Sequence, residues 1–262
     1  MWTWLKSIIG AKPSVPGLPS GQRVYAIGDI HGHLSLLDNL LSQVLEDAQQ
    51  YPEHSKTLVF LGDYVDRGPD SKGVLERLRT LDLPGFEIIC LSGNHEEMLL
   101  TFLEDVTMGL RWLRVGGRET LASYGIATDA EETDIAGTQW ALVKALSGKH
   151  TDFLRGLGLS YQVGDYLFVH AGIRPGRPII VQDKEDLLWI REPFLTSQRD
   201  HGKVVVHGHS VRFDAEFYPN EDIPCRIGID TGAYKNGVLT CLALVGKEKS
   251  LIQTGVSSAP VQ

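Results

Sequence analysis

The chain reads as an α/β protein, α+β in places, built as two facing mixed β-sheets flanked by helices. Three observations predict this. Apolar runs at 24–27, 57–61 and 86–91 each stop at a glycine followed by Asp or Asn. Each is then followed by apolar residues at helical spacing. The last third holds four further apolar runs, at 166–169, 204–206, 226–229 and 238–245, with few helices between them.

The first run, Val24-Tyr-Ala-Ile-Gly-Asp-Ile-His, gives a buried strand that ends on a carboxylate and an imidazole. Leu34, Leu37, Leu40, Leu41, Val44 and Leu45 then predict an amphipathic helix to about residue 49. After the second run, Pro69-Asp-Ser71 supplies helix-start chemistry ahead of Val74, Leu75 and Leu78. The third is followed by Met98, Leu99, Phe102 and Leu103 at helical spacing. This βαβαβα order implies parallel neighbours joined by right-handed crossovers, with the polar residues at one sheet edge. Residues 105–159 read as a helical insert with no clear strand, either a lid over the pocket or helices covering the core. The late strands predict a second sheet, largely antiparallel or mixed, and three of them again end in polar residues: His170-Ala-Gly, His207-Gly-His209 and Asp230-Thr-Gly.

The expected domain spans 22–250, preceded by an apolar segment and Pro/Gly/Ser-rich linker (1–21) and followed by a tail (251–262). Trp2, Trp4, Ile8 and Ile9 fit either packing onto the domain or a peripheral contact with a membrane surface or partner through residues 1–10. The apolar stretch is too short for a signal peptide core or a span, so no transmembrane segment is expected. A net charge of −8 argues against general affinity for nucleic acid. Cys90, Cys225 and Cys241 lack the spacing of a zinc site or disulfide framework, which points to reduced thiols and a cytoplasmic protein.

Asp29, His31, Asp63, Asn94, His170 and His209 follow these strand ends. Carboxylate, amide and imidazole donors without thiolate suit divalent Mn, Fe, Zn or Mg. Six protein ligands are too many for one catalytic ion, but fit two ions roughly 3.5–4 Å apart that share a carboxylate. His207 and His209 share strand parity, so both are candidates to face the site.

Gly28-Asp-Ile-His-Gly32, Gly62-Asp-Tyr-Val-Asp-Arg-Gly68 and Gly93-Asn-His-Glu96, then His170-Ala-Gly and Gly208-His209, resemble the signature set of the phosphoprotein phosphatase branch of the metallophosphoesterases, in particular its small bacterial and phage serine/threonine phosphatases. The resemblance runs from about residue 24 to 232 and implies that family's four-layer sandwich. It implies that Asp29 and His31 hold a first metal, that Asp63 bridges, and that Asn94, His170 and His209 hold a second, with manganese the leading expectation. It selects His209 over His207. It implies His95 as proton donor, Asp66 as its orienting carboxylate, and Arg67 and Arg191 as phosphate grips. Asp230 and Tyr234 fall where the family's last site-forming loop lies and are expected to line the pocket. The implied reaction is hydrolysis of a phosphorylated protein or small phosphoester by metal-activated hydroxide. A diadenosine tetraphosphatase, or a catalytically inactive module that binds phosphorylated partners, are the alternatives. The branch with a metal-bound tyrosine is disfavoured, because Gly62-Asp-Tyr-Val-Asp lacks Tyr where that branch requires it.

Overall fold

Strand β1 (Gln22–Ile27) alternates its side chains between two cores, and this sets the layering of the molecule. Tyr25 and Ile27 join a cluster under helices α1 (Leu34–Ala48), α2 (Ser71–Arg79) and α3 (Asn94–Glu104), while Val24 and Ala26 face a second sheet. The computed structural model describes residues 15–127 and 134–255. Its first sheet runs β10-β9-β1-β2-β3, with β2 at Ser55–Phe60, β3 at Phe86–Cys90, β9 at Thr240–Val245 and β10 at Glu248–Gln253. The second runs β4-β5-β6-β8-β7, with β4 at Ser160–Val163, β5 at Tyr166–Val169, β6 at Val204–His207, β7 at Glu216–Tyr218 and β8 at Arg226–Gly228.

The two sheets meet through Val59, Leu61, Phe168, Val206, Ile227 and Leu244, all essentially solvent-free. Behind the second sheet, Leu167, Val169 and Val205 pack on Leu187 of α8 (Lys184–Trp189) and on Phe194, which completes helix–sheet–sheet–helix. Each fully buried side chain of this size contributes about 1.5–3 kcal/mol relative to exposure.

Register is what gathers the site. The parallel ladders align Ile27 with Phe60 and Phe60 with Cys90, so the three loops that begin at Gly28, Leu61 and Leu91 leave the first sheet level with one another. In the second sheet β5, β6 and β8 are also parallel, and they release His170, Gly208 and Ile229 at the same edge.

Three expectations are corrected. The run at 238–245 belongs to the first sheet, antiparallel to β1, because Leu242 and Leu244 reach the inter-sheet core from that side. The tail expected from residue 251 begins inside β10, which pairs with β9 through Gln253. His150, whose polar neighbours in the sequence predict a solvated ring, is buried between Tyr124 and Glu76, with hydrogen bonds of 2.7 and 2.9 Å. Of the expected linker, residues 15–21 are described, and they pack back: Leu18 is buried and its N–H donates to the Gly246 carbonyl. Residues 1–10 lie outside the described residues. The insert is helical, with α4 (Gly109–Trp112), a π-turn (Leu113–Gly117), α5 (Arg118–Ser123), α6 (Ile135–Ala145) and α7 (Gly148–Arg155).

Candidate metal centre

Asp63 sits at the middle of the cluster. It groups with His31 and His95 on one side and with His170 and His209 on the other, and in each trio the ligand atoms lie within 4.8 Å of one another. Its Oδ2 is 3.5 Å from His31 Nε2 and its Oδ1 is 3.4 Å from His170 Nε2. Burial opposes its charge, but the imidazoles of His170, His95, His31 and His209 together hold its carboxyl well below the usual carboxylate range.

The hydrogen bonds of the two inner histidines fix which nitrogen faces the centre. His31 Nδ1 lies 2.9 Å from the Val65 carbonyl and His170 Nδ1 lies 2.9 Å from the Leu61 carbonyl. A carbonyl only accepts, so Nδ1 carries the hydrogen in both and each Nε2 presents a lone pair inward. His170 Nε2 then meets Asn94 Oδ1 at 2.9 Å, and that oxygen also lies 2.8 Å from His209 Nδ1. Lone pairs converging with no hydrogen between the first two are what a shared cation requires. Burial lowers the pKa of His31, His170 and His209, the last to about 2, which favours the neutral, lone-pair-bearing ring.

Asp29 is held differently. Both its oxygens accept the His209 backbone N–H, at 3.2 and 3.0 Å, and burial, reinforced by Asp230 and Asp63, drives its pKa up. It stands beside the two trios and is not a member of either. Asp230, buried and hydrogen-bonded to Asp29, has its own pKa pushed up to about 6, mainly by burial.

On the other flank, His95 Nδ1 lies 2.6 Å from Asp66 Oδ2, and both residues are buried. Burial disfavours the imidazolium, but Asp63 and Asp66 outweigh it and raise the His95 pKa. Arg67 points its guanidinium at His31 Nε2 (2.7 Å) and His95 Nε2 (2.9 Å) and stacks on the Tyr234 ring, 4.5 Å from its centroid. Arg191 is exposed, just beyond α8, and its charge bears on His170 and His209. His207 points away from the centre, its ring 5.1 Å from Phe194.

Comparison with known proteins follows the same residues. Residues 22–235 match the model of the calcineurin-like phosphoesterase family. The chain belongs to that family. A serine/threonine-protein phosphatase 1 from Salmonella typhimurium is 38% identical over 37% of this chain and 39% of its own. A symmetrical bis(5'-nucleosyl)-tetraphosphatase from Pseudomonas fluorescens is 34% identical over 58% of this chain and 42% of its own. The chain thus spans less than half the length of these relatives. Among solved structures, one provisionally described as a diadenosine tetraphosphatase superposes with a TM-score of 0.63 at 23% identity, covering 92% of this chain and 97% of that one. A cold-active protein tyrosine phosphatase gives 0.56 at 19%, covering 91% and 80%. These last two show the shared fold, two mixed sheets flanked by helices.

Phosphoesterases of the calcineurin-like family use a pair of divalent metal ions, and the donor set here fits such a pair. The phosphoesterase fold also uses a residue that the motif contained but its chemistry did not announce. Glu96, fully buried, accepts backbone N–H groups from Asp63 (2.7 Å), Tyr64 (2.7 Å), Val65 (3.2 Å) and Gly93 (2.8 Å). Burial and the neighbouring Asp63 push its pKa to about 7, against four donors that favour the charged form. Among the described residues, every non-glycine with positive φ is one of the candidate site residues: His31, Asp63, Asp66, Arg67 and His209. Such backbone is costly for L-residues and persists where surrounding bonds enforce it.

Proposed function

We propose that the chain is a metal-dependent phosphomonoesterase acting on phosphoserine or phosphothreonine in polypeptides, with manganese as the leading metal and the cytoplasm as its compartment. The observation that carries this is the His95–Asp66 pair at 2.6 Å beside the central Asp63. An alkoxide is a poor leaving group and needs a proton as the P–O bond breaks, and a histidine with a raised pKa is suited to give it near neutrality. When bound, two divalent ions would supply Lewis acidity to water and to the phosphoryl oxygens; Asp63, His31, His170, His209 and Asn94, with Asp29 alongside, are the residues that would hold them. Arg67 and Arg191 grip the phosphoryl oxygens. As those oxygens take over the Arg67 N–H groups, the His95 Nε2 lone pair is freed to take up a proton that it can pass to the leaving oxygen, with Asp66 holding Nδ1 throughout. Cys90, Cys225 and Cys241 form no disulfide with one another, which fits that compartment.

The test is phosphate release from a phosphoserine peptide with added manganese, alongside His95→Asn. Metal-dependent release that the variant loses supports the reading; no release from any monoester refutes it. A second reading, hydrolysis of dinucleoside polyphosphates, is favoured by the relatives of that name that align over 58% of the chain. Faster turnover of diadenosine tetraphosphate than of the peptide would select it.

A further inference from the structure

The helical insert reaches into the proton-donor pair. Trp112, the last residue of α4 and fully buried, donates its indole N–H to both oxygens of Asp66, at 3.1 Å to Oδ1 and 2.9 Å to Oδ2. Thr120 of α5, equally buried, donates its hydroxyl to Oδ1 at 2.6 Å. The same hydroxyl oxygen accepts the Asp66 backbone N–H at 2.9 Å and lies 3.0 Å from Ser71 Oγ, which also accepts that N–H. Between the π-turn and Asp66's neighbour the contacts continue: the Gly116 carbonyl accepts the Arg67 backbone N–H at 3.1 Å and the Val115 carbonyl accepts Arg67 Nε–H at 3.3 Å.

The accounting of Asp66 is therefore closed. Oδ1 is filled by Thr120 and by the longer Trp112 contact, while Oδ2 is shared between Trp112 and His95. A carboxylate with no solvent contact and φ of +73° has no other means of holding its plane. Ring orientation at His95 depends on that plane, because Nδ1–H must meet Oδ2 for Nε2 to point at the substrate. We infer that Trp112 and Thr120 are positioning residues for the proton donor, so that the insert is a part of the catalytic apparatus and more than a cover. In the step they serve, water oxygen bonds to phosphorus, the P–O electron pair passes to the leaving oxygen, the His95 Nε2 proton joins that oxygen, and the proton lost by the attacking water restores the His95 proton before the next turnover.

This inference rests on the monoesterase reading, and leaving-group dependence separates the two. Trp112→Phe keeps the ring and removes the N–H; Thr120→Val keeps the shape and removes the hydroxyl. General acids contribute about 10²–10⁴-fold, so each variant is expected to lose roughly tenfold or more in kcat on a phosphoserine peptide, with KM unchanged. On p-nitrophenyl phosphate, whose leaving group needs no proton, kcat is expected to stay near wild type. Thr120→Ser should restore the peptide rate. Equal losses on both substrates, or no loss on either, overturn the inference. A readout independent of turnover is the downfield Nδ1 proton resonance of His95: it should move upfield in Trp112→Phe, and an unmoved resonance counts against the inference even if the wild-type chain proves inactive on every monoester.

Discussion

Glu96 shows how a single carboxylate organises backbone at this site. Its four N–H donors come from two loops, and one of them belongs to Asp63, whose φ of +53° has no local reason to persist. Replacing Glu96 with Gln turns an NH2 toward donors that need an acceptor. Each buried backbone N–H left without a partner costs about 1–3 kcal/mol. Glu96→Gln is therefore expected to lower unfolding free energy by at least about 2 kcal/mol in urea titrations. Glycine is enforced beside it: a Cβ at Gly93 would lie 2.1 Å from Asp63 Oδ1. That His31, Asp63, His95, His170 and His209 would cluster was legible in the sequence, because their types recur in order at strand ends. Glu96 was visible only as the fourth letter of a motif, and Trp112 not at all, because its partner Asp66 is 46 positions away and nothing local to either announces the bond. The orientation of Asp29 toward the His209 N–H was hidden for the same reason.

At the scale of elements, what could be read was what is locally periodic. Strands β1, β2 and β3 are apolar runs stopped by glycine, and α1 to α3 carry apolar residues at helical spacing, so order and boundaries came out within about two residues. Strands β4, β7 and β10 did not appear, because Ser160–Val163, Glu216–Tyr218 and Glu248–Gln253 are short, half-exposed and polar, and exist through pairing with remote partners. The placement of β9 failed on the same ground: only tertiary pairing with β1 decides which sheet it joins. The insert makes a prediction of its own. Gly116 has φ of +123°, and a Cβ there would lie 2.7 Å from both Arg67 Cγ and Arg67 N. Gly116→Ala must displace Arg67, so KM for a phosphomonoester is expected to rise severalfold while the far-UV spectrum is unchanged.

Taken whole, the molecule stores buried imidazole that refuses protons. Burial holds the His207 pKa at about 4, against 6.5 for a free histidine, and His31 and His170 are lowered in the same direction. Below pH 6.5 the unfolded chain takes up a proton that the folded chain declines, so this stability is present above 6.5 and is lost as pH falls toward 4. For His207 alone the loss is about 3 kcal/mol by the bottom of that range. His207→Gln should remove about one proton from the slope of stability against pH, measured by denaturant titration at pH 7, 6 and 5. The clustered donors make a second prediction at this scale. A divalent cation that binds the folded form alone stabilises it in proportion to RT ln(1 + [L]/Kd), about 2.7 kcal/mol at a hundredfold excess over Kd. Manganese is expected to raise the melting temperature by several degrees and a chelator to reverse it, with His170→Ala abolishing most of the gain.

The five left-handed residues around Asp63 leave a signature for descendants of this gene. Arg67 holds a backbone conformation that glycine would adopt at no steric cost, so a lineage released from selection for turnover gains robustness by drifting to Gly there. Glycine at position 67 in a homologue would mark a retired enzyme that kept its shape.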